Sequence, residues 1–279
     1  MPAAKQAVRR KPEPGPRSSE IEIERRGGVL VLTLARPDRR NSLSETMLAA
    51  LQAALDGAAR DAGVRAVVIA AQGSVFCAGH DLKELTAHRK DADRGLAYLE
   101  RLMRQCAKLM RSIVGCPKPV IAAVQGMATA AGCQLVASCD LAVAAEEATF
   151  CTPGVNIGLF CSTPMVALTR NVSRKRAMEM LLLGEMLPAH AAADYGLVNR
   201  VVPADKLMHE VLALADKIAA KPPATVAIGK EAFYRQIEMP LADAYDYAAG
   251  VMVQNMMHAE SEEGIGAFLE KRTPVWDKG

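Results

Sequence analysis

The sequence predicts an α/β fold that ends in a helical region, and three stretches carry that expectation. Residues 66–85, AVVIAAQGSVFCAGHDLKEL, run from an apolar strand through a tight bend into a helix. Residues 119–145, PVIAAVQGMATAAGCQLVASCDLAVAA, repeat that construction and add a second apolar run. From Ala204 onward every segment has helical periodicity instead. Short buried strands alternating with helices define the class.

Taken in order, residues 1–19 are basic, with three prolines between Pro12 and Pro16, the composition of a disordered tail. Arg9, Arg10 and Arg17 would suit a targeting peptide, which Glu13 and the prolines oppose. Ile21-Glu22-Ile23-Glu24 alternates as a half-buried strand does, Gly27-Gly28 turns the chain, and 29–34 is the returning strand. Pro37 breaks the pattern, and Ser42 or Ser44 caps a helix whose Leu48, Leu51 and Leu55 recur at helical spacing. After the strand at 66–71 and the bend at 76–81, residues 82–111 read as a charged helix. Residues 86–95, with few apolar side chains, read as a mobile loop that interrupts it, a lid if it lies over the substrate site and more simply a solvated loop. Strands are expected at 120–124 and 141–144, with a helix over 132–138 between them. Turn formers dominate 151–160, and Ser162 or Thr163 before Pro164 reads as a cap and first helical position. Helices follow at 173–183 and 189–195, closed by Gly184 and Gly196, then a strand at 199–202. The last helices are expected at 206–220, 224–236, 241–260 and 263–271, a group suited to packing and assembly. The chain thus divides into a tail (1–19), a core (20–203) and a helical C-terminal region (204–279).

The 279 residues are 51% apolar but only 4% aromatic, so Ala, Val, Leu and 14 Met must fill the core. A net charge of +3, with no basic run interleaved with aromatics, makes no case for nucleic acid. Seven Cys without a C-x-x-C pair imply reduced thiols and an intracellular protein, and the five His lack metal-ligand spacing. No apolar run reaches the length of a membrane span, and no secretory signal is present. The expected location is cytoplasmic, or the mitochondrial matrix if the basic tail is a targeting peptide. A serine-hydrolase elbow is absent, and Gly264-Ile265-Gly266 lacks the third glycine and preceding strand of a dinucleotide site.

The chemistry sits in the two strand–bend–helix units. The stretch from Met127 to Gly132 has almost no side-chain bulk, so a ligand can approach the free N–H groups of the helix that follows. Tight packing explains one such unit equally well. Two units can each aim one N–H at a common point, and two such donors form an oxyanion hole for a thioester enolate. At this level FCAGHDLKEL and GMATAAGCQLVASCDLAVA resemble the crotonase, or enoyl-CoA hydratase/isomerase, superfamily. The similarity continues through TPGVNIGLFCSTPMVALTR, LLLGEMLPAHAAADYGLVNRVVP and EGIGAFLEKRTPVW, spans 21–276, and is nearest in wording to the enoyl-CoA hydratase domain-containing proteins. It implies a superhelix of ββα turns forming two sheets, a helical C-terminal trimerisation region, and a homotrimer or dimer of trimers. It also implies a coenzyme A thioester as substrate or ligand, with no tightly bound cofactor.

By the same resemblance, the oxyanion donors are the backbone N–H groups of His80 and Ala131. Recognition of CoA falls to Arg36, Ser42, Leu43, Asp81, Leu82 and Lys83, with Phe268 and Lys271 reaching a neighbouring subunit's nucleotide. Arg36 and Lys83 are equally well read as solvated surface residues, and Phe268 as a helix-face anchor. Hydratases of this superfamily hold one water between two glutamates. This chain has Gln134 in the first place and Gly154, after Pro153, in the second. An amide cannot exchange a proton as a carboxylate does, and glycine offers no side chain. His80, Tyr195, Asn156, Cys133 and Cys161 are the other polar groups around the site, while Asp140 has a structural place at a strand start. Three readings remain: an enoyl-CoA hydratase, another crotonase reaction such as decarboxylation or thioester hydrolysis, or a non-catalytic acyl-CoA-binding regulator.

Overall fold

The computed structural model describes residues 19–276, so all but the last residue of the expected tail lies outside the described residues. β1 (Ile21–Arg26) and β2 (Val29–Leu34) form the expected hairpin. Ser44 caps α1 (Glu45–Arg60), its Oγ accepting the Met47 N–H at 3.1 Å. There follow β3 (Ala66–Ala71), β4 (Val75–Cys77), α2 (Leu82–Ala87), α3 (Leu96–Gly115) and β5 (Val120–Val124). Next come β6 (Met127–Thr129), α4 (Ala131–Ser138), β7 (Leu141–Ala145), β8 (Thr149–Cys151), α5 (Ser162–Leu168) and α6 (Arg174–Leu183). β9 (Leu187–Pro188), α7 (Ala189–Asp194) and β10 (Arg200–Val202) precede four helices: α8 (Leu207–Ala219), α9 (Pro223–Gln236), α10 (Leu241–Met256) and α11 (Ala259–Leu269).

The larger sheet has the order β1-β2-β3-β5-β7-β10, antiparallel at its first pair and parallel thereafter. Its inner strands are unbroken apolar runs because both faces are covered. Leu51, Val67, Ile69, Leu109 and Val124 fill one side, and α8 covers the other with Leu207, Val211 and Ala215. Packing therefore puts α8 with the core, ahead of the three helices that end the chain.

The smaller sheet, β4-β6-β8-β9, has strands of two or three residues. Strands that short carry no measurable alternation, and their sequences read as turns. β4 pairs parallel with β6, and β6 with β8, which sets the two strand–bend–helix units side by side.

Several boundaries differ from the sequence reading. In 86–95, a short 3-10 turn and an Asp93 cap stand where a loop was expected. The Asp93 carboxylate accepts the Gly95 and Ala97 N–H groups at 2.9 Å, and His88 stacks on Tyr98 with ring centroids 3.6 Å apart. α5 starts at Ser162 behind Cys161, so Pro164 takes the third helical position, where its missing N–H removes no helix bond. The expected helix 241–260 stops at Met256, and Glu260 enters α11 instead. Its buried carboxylate accepts the Ala224 and Thr225 N–H groups at 3.1 and 2.9 Å, supplying the cap that α9 lacks locally.

Asp140 has the structural place expected of it. Its carboxylate accepts the Val120 N–H at 2.6 Å, the Tyr234 hydroxyl at 2.9 Å and the Lys230 ammonium at 2.6 Å. Lys230 also donates to the Ile113 and Lys118 carbonyls at 3.0 and 3.1 Å, which completes its three donors and anchors α9 to the sheet.

Candidate functional site

The site begins where β6 hands over to α4. Ala130 adopts φ +50° and ψ −117°, which an L side chain rarely adopts and which costs roughly 1–3 kcal/mol. Its N–H donates to the Cys151 carbonyl at 2.9 Å, and its carbonyl accepts the Gln134 N–H at 3.0 Å. Ala131 is the first residue of α4, so its N–H is among those a helix leaves without an internal acceptor.

The bend after β4 lies directly across this helix start. A Cβ on Gly132 would overlap the Cys77 carbonyl. One on Gly79, at φ +84°, would stand 3.0 Å from Ala130 Cβ and 3.3 Å from the Ala131 nitrogen. Glycine at both positions is what permits the approach. His80 follows Gly79, so the structure brings the segments of His80 and Ala131 together. Leu43 holds the bend from the other side: its N–H donates to the Gly79 carbonyl at 2.7 Å, and its carbonyl lies 3.2 Å from His80 Nδ1.

A carbonyl only accepts, so His80 Nδ1 carries the proton and Nε2 is left as an acceptor. That atom is buried and takes no hydrogen bond from the protein. Burial lowers the imidazole pKa, against the pull of the Leu43 bond, and keeps the ring neutral. Gln134 is 5% exposed, and its Oε1 is likewise buried and without a protein donor.

Gly154 is more than a missing side chain. It sits buried in the 3-10 turn Pro153–Ile157, and its carbonyl accepts the Leu159 N–H at 2.9 Å. A Cβ there would stand 2.7 Å from the Leu159 carbonyl oxygen and 2.9 Å from Cys161 Sγ. Asn156 pins this turn to the end of α6, donating to the Gly184 carbonyl at 3.4 Å. Backbone and a thiol thus fill the space a carboxylate at 154 would start from. Burial raises the Cys133 and Cys161 thiols and pushes Cys151 up to about 11, so none is a thiolate near neutral pH. The Tyr195 hydroxyl faces α6, bonded to Arg176 and Glu179 at 3.1 and 3.3 Å.

The description "Enoyl-CoA hydratase/isomerase" belongs to a family model that matches residues 24–279. The chain belongs to this family. It is 47% identical over 254 residues to the Xenopus laevis enoyl-CoA hydratase domain-containing protein 3, mitochondrial, across 91% of this chain and 85% of that protein. The Homo sapiens protein of the same name is 45% identical over 270 residues, across 97% and 86%. Among solved structures, an enoyl-CoA hydratase from Mycobacterium smegmatis has a TM-score of 0.88 at 53% identity, across 93% of this chain and 99% of that one. The human domain-containing protein 3 has a TM-score of 0.88 at 45% identity, across 92% and 100%. The crotonase-like α/β fold expected from the motifs is therefore the fold of this chain.

The residues to which the enoyl-CoA hydratase/isomerase resemblance assigned CoA fall into four places. Ser42, Leu43 and Asp81 are buried around the bend, and Asp81 caps α2 by accepting the Lys83 N–H at 2.8 Å. Leu82 and Lys83 are exposed on α2 and line an open groove with Thr86, Ala87 and Lys90. Arg36 pairs with Glu20 at 2.8 Å and Asp38 at 3.3 Å, which favours a structural place over a phosphate contact. Phe268, 82% exposed, and Lys271 lie at the end of α11. Two features escaped the sequence: the Ala130 conformation and the brace that the main chain of Leu43, already expected to recognise CoA, gives the bend. The run of small residues at 128–132 was the only signal for the first. Among the described residues, no cluster of His, Cys, Asp or Glu could hold a metal, and no helix is long and apolar enough to cross a membrane.

Proposed function

We propose that this chain binds acyl-CoA thioesters and stabilises the thioester enolate between the His80 and Ala131 N–H groups, as a lyase of the enoyl-CoA hydratase type with a slow hydration step. The observation that carries the reading is the contact of the Gly79 bend with the start of α4, 3.3 Å from a Gly79 Cβ position to the Ala131 nitrogen. Each donor contributes roughly 3 kcal/mol to a developing oxyanion. That activates the thioester but not the water. General acid–base assistance is worth about 10²–10⁴-fold, and Gln134 and Gly154 supply none of it.

The closed turn at Gly154 and the protonated thiols also support a second reading: a crotonase reaction other than hydration, or a non-catalytic acyl-CoA binder. Either reading needs only the thioester and no tightly bound cofactor. Assembly as a homotrimer or dimer of trimers is supported by apolar side chains left exposed on α9–α11. A cytoplasmic location is the first expectation, and the word "mitochondrial" in the relatives' names supports the matrix.

The test pairs calorimetry with a hydration assay. Acetyl-CoA and crotonyl-CoA are expected to bind, more weakly as salt screens the phosphates. Crotonyl-CoA is expected to be hydrated at least about 10²-fold more slowly than by a family member with both glutamates. No binding heat would overturn the acyl-CoA reading. Fast hydration would instead show that another group does the proton work.

A further inference from the structure

We infer that the His80 side chain is a positioning residue for the oxyanion site: by fastening the Leu43 main chain, it fixes the direction in which its own backbone N–H points. The inference rests on the enolate-stabilising reading above and adds to it the side chain that aligns one of the two donors. A peptide unit is planar and trans, so its C=O and N–H point in opposite directions. The Gly79 carbonyl and the His80 N–H belong to one such unit, and no peptide bond among the described residues is cis. The Leu43 N–H donates to that carbonyl at 2.7 Å. It therefore turns the His80 N–H away from Leu43, and among the described residues no acceptor takes that N–H.

Leu43 can set this direction only if it is held itself. It lies in a loop where Arg40 and Asn41 take φ +52° and +49°, a left-handed region that costs an L side chain energy. Asn41 ties the loop on one side, its amide donating to the Gln72 and Val75 carbonyls at 2.9 and 2.8 Å. The bend ties the other. The Ala78 N–H donates to the Arg40 carbonyl at 3.1 Å, and Leu43 and His80 form an isolated parallel bridge. His80 Nδ1 closes the circuit at 3.2 Å from the Leu43 carbonyl, while Nε2 takes no hydrogen bond from the protein. The imidazole holds Leu43, Leu43 holds the Gly79 carbonyl, and the same peptide plane carries the His80 donor. A donor turned off its oxyanion is a donor lost, and such a loss costs about 10²–10³-fold in rate.

Two measurements on the full-length protein test this. The probe for the first is butyryl-CoA labelled with carbon-13 at the thioester carbonyl, added to saturation and read by infrared difference spectroscopy. In the unmodified protein the carbonyl stretch is expected to move to lower frequency as the two N–H groups polarise it. His80→Ala is expected to lose most of that shift, and His80→Asn, whose amide N–H stands near the Nδ1 position, to keep it. A full shift in His80→Ala, or a loss as large in His80→Asn, would overturn the inference and leave the oxyanion reading standing. No shift in the unmodified protein would overturn that reading and the inference with it, and no binding at all would overturn the acyl-CoA reading. The second measurement needs no variant to fold: nitrogen-15 spectra of the unmodified protein at pH 8 report which ring nitrogen of His80 carries the proton. A neutral ring protonated at Nδ1 is expected, because the Leu43 carbonyl only accepts. A proton on Nε2 alone would overturn the inference.

Discussion

Gly154 is where one residue changes what the site can be made to do. A Cβ there meets the Leu159 carbonyl at 2.7 Å and Cys161 Sγ at 2.9 Å, so a glutamate cannot be introduced without moving backbone. Gly154→Ala alone is expected to cost about 1–3 kcal/mol, as overpacking of a tight interior does. Urea denaturation measures it, and an unchanged midpoint would mean that the turn yields freely. His80 supplies a second residue-scale prediction, with pH as the variable. Burial lowers its folded pKa below the ordinary 6.5. Between those two values the unfolded chain binds the extra proton, so stability holds above pH 6.5 and falls as pH drops through that window. In His80→Gln this part of the pH dependence is expected to disappear. Identical denaturation profiles from pH 8 to pH 5 for the two proteins would show that His80 is not the group responsible.

At the scale of elements, the order of the site depends on how helices are fastened to strands. α9 is tied to the sheet by the buried Lys230–Asp140 pair, whose side chains are 8% and 14% exposed. Asp140 also caps the start of β5 through the Val120 N–H. Removing one partner of such a pair leaves an uncompensated charge and typically costs 3–5 kcal/mol. Lys230→Met is accordingly expected to lower stability by about 3 kcal/mol or more, with faster amide exchange in Pro223–Gln236. Exchange confined to other elements would mean that α9 is held by its apolar contacts instead. α2 and α3 are fastened differently. The Tyr98 hydroxyl donates to Glu84 at 3.3 Å, and its pKa is pushed up to about 12 by burial and by that carboxylate.

For the whole molecule, the distribution of exposed apolar surface is the main feature. Leu241, Tyr245, Met252, Val253 and Met257 on or just after α10 are each at least 60% exposed, and Phe268 and Leu269 follow on α11. Large exposed apolar patches mark association surfaces. A homotrimer or hexamer is the expected mass by light scattering at micromolar concentration. Val253→Asp together with Met257→Asp is expected to shift that mass toward the monomer. A monomeric unmodified protein would remove the assembly proposal.

The amino-acid sequence by itself determined the α/β class, the hairpin, a serine cap at Ser42 or Ser44, which the structure resolves to Ser44, and the paired strand–bend–helix units. These rest on local signals: apolar runs, small residues in succession, and capping residues beside them. It also put Gln134 and Gly154 at the two positions where the resemblance expects glutamates, since residue identities need no coordinates. The second sheet was expected only from the resemblance; its strands were not legible as such, because two or three residues have too few positions to alternate. The place of Glu260 was not legible either, because it caps a helix 36 residues earlier in the chain. Only the tertiary structure decided that Gly79 meets Ala131, that Leu43 braces the bend, and that the turn at Gly154 has closed. Each of those is a contact between segments distant in sequence, set by how strands pair and how closely two backbones approach, and no local pattern of residues encodes that distance.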